Sequence, residues 1–299
     1  MVDVHAVAIK INEAVDFARA SLGEHLEGHD LMGRFILLSG GNDSTTLAHL
    51  AWFVFPSDIR ATHAAHANTT IGVEETRVFV RETCAAWGLP LVEKRPPESY
   101  RQLVLDPKNG GFPGPARHWK MYTRLKERCL VQVRRDFVKE PRKQRVLFIA
   151  GRRRLESKRR ANVPENSRDG SIIWTSPLVE WSADDMEAYR TLFAVPHNPV
   201  ADDLGMSGEC LCGAFAEPGE FERLQSLHPD AAQEIVDLED ELVSQNEVLG
   251  TLPDEVCHWG WGAYRDDLIG QPVKVGMMCS SCDARHAEGV IPVGGPHED

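Results

Sequence analysis

The sequence has no apolar run close to the roughly 18 residues that a membrane-spanning helix needs, which argues against a span. Its opening, MVDVHAVAIK, has no basic region followed by an apolar core. A chain without a secretory signal, resident in the cytoplasm, is therefore the expectation. No segment repeats along the chain, so the architecture is not one of stacked repeats. Cysteine is sparse, with seven in 299 residues. In a cytoplasmic protein so few point to metal binding or catalysis more than to disulfides. Basic residues are in deficit, 33 Lys and Arg against 45 Asp and Glu, for a net charge of −12. That balance argues against broad non-specific DNA binding.

The charge is unevenly spread. Lys139 to Arg160 holds ten Lys and Arg and two Glu, whereas residues 201 to 255 hold fifteen Asp and Glu and one Arg. The basic run is a candidate contact for an anionic substrate or a nucleic acid, or else a solvated helix face. The length allows a large core and lies at the boundary between one and two domains. Apolar residues make up 42% and charged residues 26%, as in soluble globular proteins.

One stretch carries the first chemical signal: FILLSGGNDSTTLAHLAWFVF, residues 35 to 55. Arg34 to Leu38 reads as a short buried strand and Thr45 to Phe55 as a helix, with Ser44 as its N-cap. Two glycines at the break permit a tight loop whose amides converge, and the helix dipole adds positive potential there. Such a loop fits a phosphate. No Lys follows the glycines, so the Walker pattern is absent.

Strand and helix patterns then alternate. Strands are expected over Asp58 to Ala64, Leu91 to Lys94, Val146 to Ala150 and Ile172 to Thr175. Helices are expected over Val73 to Trp87, over Arg117 to Phe137, and over Ala183 to Phe193 behind a Ser182 cap. This order implies an α/β fold, a doubly wound parallel sheet with helices on both faces. Ligands of such sheets sit at the carboxyl ends of the strands, where Gly40, Asn68 and Gly151 fall. After Pro199 the pattern changes. Helices are expected over Glu220 to Leu227 and Ala231 to Val248, and Gly262 to Asp299 has no clear period. Residues 1–200 thus read as a nucleotide-binding domain and 201–299 as a cysteine-bearing extension. The Gly/Pro-rich segment LDPKNGGFPGPA, residues 105 to 116, is either a lid or a plain surface loop.

Taken in order, these stretches resemble the phosphoadenosine phosphosulfate (PAPS) reductase family of the PP-loop ATP pyrophosphatase superfamily, whose fold is adenine nucleotide alpha hydrolase-like. Ser39 to Ser44 looks like the PP-loop. HANTTIGVEETRVFV (66 to 80) is similar to the family's second-strand segment. RHWKMYTRLKERCL (117 to 130) contains the expected Leu125-Lys126. GRRRLESKRR (151 to 160) follows the pattern Gly-x-Arg-x-x-Glu-Ser-x-x-Arg, and IIWTSPLVEWSADDMEAY (172 to 189) resembles the Pro-x-x-x-Trp segment. The resemblance spans about residues 30 to 215 and implies adenine-nucleotide binding by Ser39, Gly40, Gly41, Asn42, Asp43, Ser44, Asn68, Gly151, Arg153, Glu156 and Arg160. It gives catalytic roles to Asp43, Ser44 and Arg153, with Mg²⁺ held by Asp43.

True PAPS reductases lack this acidic loop and use a C-terminal Glu-Cys-Gly thiolate, whereas this chain ends GVIPVGGPHED. The resemblance therefore favours a relative that splits ATP into AMP and pyrophosphate and adenylates an acceptor, in sulfur transfer or nucleic-acid modification. A PAPS or APS reductase and a nucleotide-binding module without turnover are the alternatives. The implied partners are the nucleotide, a sulfur donor or thiol reductant, and a nucleic-acid or protein acceptor.

The cysteines give a second signal. Cys210 and Cys212 form one close pair, Cys279 and Cys282 another. Four thiolates suit [4Fe–4S] or Zn²⁺ equally by count. The resemblance to cluster-binding APS reductases, whose first pair is adjacent, tilts the choice to [4Fe–4S]. Cys257 beside His258 is a possible further ligand. Cys84 and Cys129 read as core, and His63 and His66 as solvated or satisfied histidines.

Overall fold

The computed structural model describes residues 2–156 and 161–264. The chain opens with α1 (Val4–His25), capped by Asp3, whose carboxylate accepts the His5 and Ala6 amides. Val7, Ala14, Val15 and Ala18 recur at helical spacing and form its buried face. The sequence gives no expectation of a helix there, since the alanines give the stripe little hydrophobic contrast. Next come β1 (Asp30–Leu37) and α2 (Asn42–His49), which continues as a π-helical turn to Val54. β2 (His63–Ala67), α3 (Glu74–Trp87) and β3 (Leu91–Lys94) follow. The second strand lies later than the expected Asp58 to Ala64. Pro56 turns the chain first, its carbonyl accepting the Ile59 and Arg60 amides, so strand pairing starts at His63.

Beyond α4 (Tyr100–Leu105), the Gly/Pro segment is neither a lid nor a plain surface loop. Phe112 is fully buried. Its amide donates to the Val256 carbonyl at 2.8 Å, and Trp261 Nε1 donates to the Phe112 carbonyl at 3.0 Å. α5 (His118–Tyr122), a π-helical turn over Thr123–Glu127 and α6 (Arg128–Phe137) run as the expected single helix. The sheet is completed by β4 (Gln144–Ile149), β5 (Asn166–Asp169) and β6 (Ile172–Thr175). α7 (Ala183–Phe193) starts at a reciprocal Ser182–Asp185 capping box. α8 (Pro199–Leu204), α9 (Glu220–Leu227) and α10 (Pro229–Leu249) follow. No described helix is long and apolar enough to cross a membrane.

The six strands are ordered β3-β2-β1-β4-β6-β5. All neighbours pair in parallel except β5, which runs antiparallel to β6. The α/β reading therefore holds, with a mixed sheet in place of a purely parallel one. β5 reads Asn-Ser-Arg-Asp, an edge strand too polar to stand out in sequence. Period-two alternation divides the core. Ile36, Leu38, Ala64, Leu147 and Ile149 face α1, α2, α3 and α7. Phe35, Leu37, Ala65, Phe148 and Trp174 face Leu130 and Val133 of α6. A further apolar cluster joins Ile71, Tyr100, Phe112 and Leu125 to Leu204, Leu211, Phe215, Leu224 and Leu238.

The chain leaves β1 toward β2 on one side, and β4 pairs with β1 on the other. The carboxyl ends of β1 and β4 thus flank the point where strand order reverses. Open α/β sheets place a crevice there.

Candidate active site at the carboxyl edge of the sheet

Residues 39–41 turn the chain from β1 into α2. Gly40 sits at φ +80°, a conformation that disfavours side chains, and a Cβ there would lie 2.8 Å from Thr76 Cγ2. Asn198 Nδ2 donates to the Gly40 carbonyl at 2.9 Å and pins the turn from below. The helix begins at Asn42 with Gly41 as its cap, so Ser44 is not the N-cap. Glycine already provides the extended cap backbone, which moves the start three residues earlier. Ser44 instead lies in the first turn. Its Oγ donates to the Gly41 carbonyl at 3.0 Å, accepts the Ser39 amide at 3.2 Å and lies 3.1 Å from Ser39 Oγ. The first helical amide bond is Thr45 N–H to the Gly41 carbonyl at 3.0 Å. The amides before Thr45 therefore have no carbonyl of their own helix to bond. That end of α2 suits an anion.

β4 delivers the opposite wall. A Cβ at Gly151 would lie 3.2 Å from the Asp43 carbonyl oxygen, so the two strand ends touch at a residue with no side chain. Two residues on, Arg153 Nε donates to Asp43 Oδ2 at 2.8 Å. Arg152 is buried, bonds Ser176 Oγ at 2.9 Å and places its guanidinium 6.0 Å from the Trp174 ring centre.

A cavity of about 440 Å³ opens between these walls. Ser39, Gly41, Asn42, Asp43, Ser44, Gly151 and Arg153 all line it. Gly40 lies behind them. Asn68 is not on the wall. It is buried, donates to Glu93 Oε1 at 2.8 Å and accepts the Thr70 amide at 3.1 Å, so it braces the turn after β2. Arg81 beside Glu93 holds that carboxyl down at about 2. Glu156 ends a short 3₁₀ turn, Arg154–Glu156. Arg160, Cys279 and Cys282 lie outside the described residues.

Residues that the sequence does not single out support or line the cavity. Arg190 is buried, and its Nη1 donates to the Asn42 carbonyl and Thr46 Oγ1, both at 3.1 Å. A strap from Gly205 to Cys212 forms the third wall through Gly205, Met206, Ser207 and Glu209. A Cβ on Gly41 would lie 3.3 Å from Ser207 Cβ, so strap and loop are in contact. Glu209 anchors the strap. Its Oε1 accepts the Thr69 amide at 2.8 Å, and its Oε2 lies 3.2 Å from His66 Nε2 and 3.8 Å from Arg77 Nε. His66 is satisfied rather than solvated, with Nδ1 2.7 Å from the Leu38 carbonyl. Burial lowers its basicity, but the neighbouring Glu209 carboxylate and the Leu38 carbonyl carry its pKa above the ordinary value. No pattern in residues 205–212 signals this role; Glu209 acts through contacts more than a hundred residues away in sequence.

Magnesium takes one or two carboxylates plus phosphate oxygens. A lone loop carboxylate, Asp43, fits that habit, and among the described residues no group of three or more His, Cys, Asp or Glu forms an all-protein metal cage. Cys210 is half-buried and Cys212 buried, both on the strap. The other two cysteines of the expected four-thiolate centre lie outside the described residues. Cys257 is buried with its thiol pKa raised by burial, and burial pushes Cys84 to about 11 and Cys129 to about 12, as befits core thiols.

No curated protein matches the sequence. Among solved structures, PAPS reductase from Candida auris in a phosphate complex is 16% identical, with 68% of this chain and 92% of that one covered at a TM-score of 0.44. The U34-tRNA thiolase NcsA from Methanococcus maripaludis with its [4Fe-4S] cluster is 13% identical, covering 95% and 90% at 0.44. Candida glabrata FMN adenylyltransferase in complex with FAD and pyrophosphate is 10% identical, covering 68% and 65% at 0.40. A family model, the phosphoadenosine phosphosulfate reductase domain, matches residues 34–205. That range runs from the phosphate-loop strand to the strap and takes in both glycine turns, and the chain belongs to this family.

Proposed function

We propose that the protein is a PP-loop enzyme that binds ATP and splits it between the α and β phosphates, adenylating an acceptor in sulfur transfer or nucleic-acid modification. Family membership supports a nucleotide-utilising, sulfur-related activity. The observation that carries the finer reading is Asp43, a carboxylate in the first turn of a phosphate-facing helix, with no lysine in the loop. A site for a bare anion gains nothing from a negative charge at its centre. A site for a metal–polyphosphate complex does.

In this reading an acceptor oxygen attacks the α-phosphorus, the bond from that phosphorus to the α–β bridging oxygen breaks, and pyrophosphate leaves. The orphan amides of α2 and the hydroxyls of Ser39 and Ser44 hold the departing pyrophosphate. Arg153, and Arg160 with it, take phosphate oxygens bidentately, and Glu156 orients an arginine. Asp43 would hold Mg²⁺, which would supply charge neutralisation there. A sulfur nucleophile then displaces AMP from the acceptor.

Residues 1–200 serve as the nucleotide unit in this account, and 201–299 as an extension pinned to it by one metal centre at Cys210, Cys212, Cys279 and Cys282. That centre is [4Fe–4S], with Zn²⁺ the alternative. The protein works in the cytoplasm with a sulfur donor or thiol reductant. The second reading, a sulfonucleotide reductase, draws on the family model itself.

The two readings separate by product. Anaerobically purified protein is offered either ATP with Mg²⁺ or a sulfonucleotide with a thiol reductant. Pyrophosphate and AMP support adenylation, whereas sulfite overturns it in favour of reduction.

A further inference from the structure

We infer that the Asp43–Arg153 ion pair is a specificity element that admits a polyphosphate only when it brings its own divalent cation. The inference rests on the ATP reading and deepens it.

Arg153 Nε lies 2.8 Å from Asp43 Oδ2, and the two side chains are only 12% and 23% exposed. Each neutralises the other where the loop meets the wall delivered by β4. Lys126 and Arg152 also line the cavity, whereas the Asp43 carboxylate pairs with Arg153, and two neighbouring arginines have partners of their own. Arg152 bonds Ser176 and lies over Trp174, and Arg190 bonds the Asn42 carbonyl and Thr46. A guanidinium stays charged at any working pH. A bare anion that recruits Arg153 therefore leaves a largely buried carboxylate uncompensated beside a new negative charge. An anion that arrives with a divalent cation avoids this. The cation takes over Asp43, and Arg153 is released to the phosphates. The exchange needs only a side-chain rotation, because Gly151 keeps the Arg153 backbone against the loop. The same pair thus disfavours a metal-free sulfonucleotide or monophosphate.

Calorimetry on the full chain tests this with pyrophosphate and with Mn²⁺ alone, so ATP turnover is not required. Wild type is expected to bind pyrophosphate about tenfold more tightly with Mg²⁺ than with a chelator. Asp43→Asn releases Arg153, and is expected to bind metal-free pyrophosphate about tenfold more tightly than wild type and to lose most of the Mg²⁺ gain. Arg153→Gln frees the carboxylate and is expected to raise affinity for Mn²⁺ alone by a similar factor. Circular dichroism confirms that each variant is folded, and either variant alone decides the matter. Unchanged metal-free pyrophosphate affinity in Asp43→Asn, or unchanged Mn²⁺ affinity in Arg153→Gln, overturns the inference. Exchange behaviour as expected in a protein that never releases pyrophosphate from ATP leaves the ion-pair account standing and removes the ATP reading.

Discussion

The loop wall and the strap wall of one cavity are built in opposite ways. The loop wall comes from two short turns, 39–44 and 151–153, each following its own strand, and strand pairing alone brings them together. The strap, 205–212, has no regular structure of its own. It is held by the Thr76 hydroxyl to the Ser207 carbonyl at 2.6 Å, the Val73 amide to the Gly208 carbonyl at 2.9 Å, Glu209 to Thr69, His66 and Arg77, and the Tyr100 hydroxyl to the Cys212 carbonyl at 2.8 Å. In the proposed reading the first wall would carry the chemistry, on a frame of paired strands. The second carries stability through a buried charge. Substitutions in the two walls should therefore fail in different currencies, the first in rate and the second in folding.

The largest effect is expected at the strap. Glu209→Ala leaves Arg77 and the raised-pKa His66 without their buried carboxylate, and a broken buried pair costs about 3–5 kcal/mol. Urea denaturation is the measurement, and wild-type stability would show that the strap does not depend on this charge. Next is Asp43→Ala at the loop. Fold and stability should persist while pyrophosphate release falls by about 10²–10³. A mutant that unfolds instead erases the distinction between the walls. Asn198→Ala removes a buried bond to the Gly40 carbonyl and is expected to cost about 1–3 kcal/mol, in denaturant midpoint and in nucleotide affinity together.

A smaller effect concerns pH. The His66 pKa is raised on folding, so its contribution is complete below the unfolded value of 6.5 and is lost as pH rises through the folded value. The stability profile should fall over that window in wild type and flatten in His66→Gln. A parallel decline in the variant would assign it to other groups. Smallest is the surface control. Arg153→Ala and Arg160→Ala should weaken nucleotide binding, whereas exposed Lys139→Ala should not. Equal loss in all three, reproduced by added salt, would indicate a diffuse basic field.

The same contrast explains what sequence could reveal. Val73 to Trp87, Leu91 to Lys94, Ile172 to Thr175 and Ser182 to Phe193 are legible because local propensity, caps and stop residues agree with burial. Ser39 to Ser44 and Gly151 to Arg153 stand out because each is a run of consecutive residues, and the structure brings both runs to one cavity. Ser44 looks like a cap in sequence, but Gly41 fills that place through its backbone. The apolar pattern starts before the second strand does, because Ile59 and Ala61 are buried without being strand. Glu209, Arg190 and Asn198 left no signal. An isolated carboxylate, guanidinium or amide becomes functional only through partners that the fold brings from distant segments.

Cleavage between the α and β phosphates is decided by ATP labelled with radioactive phosphorus at the γ position. The protein is incubated with the labelled nucleotide, Mg²⁺, a sulfur donor and total RNA as acceptor, alongside Asp43→Ala. The label is expected to leave as pyrophosphate from wild type and to stay in ATP with the variant. Label released as orthophosphate, or released equally by both proteins, would contradict it.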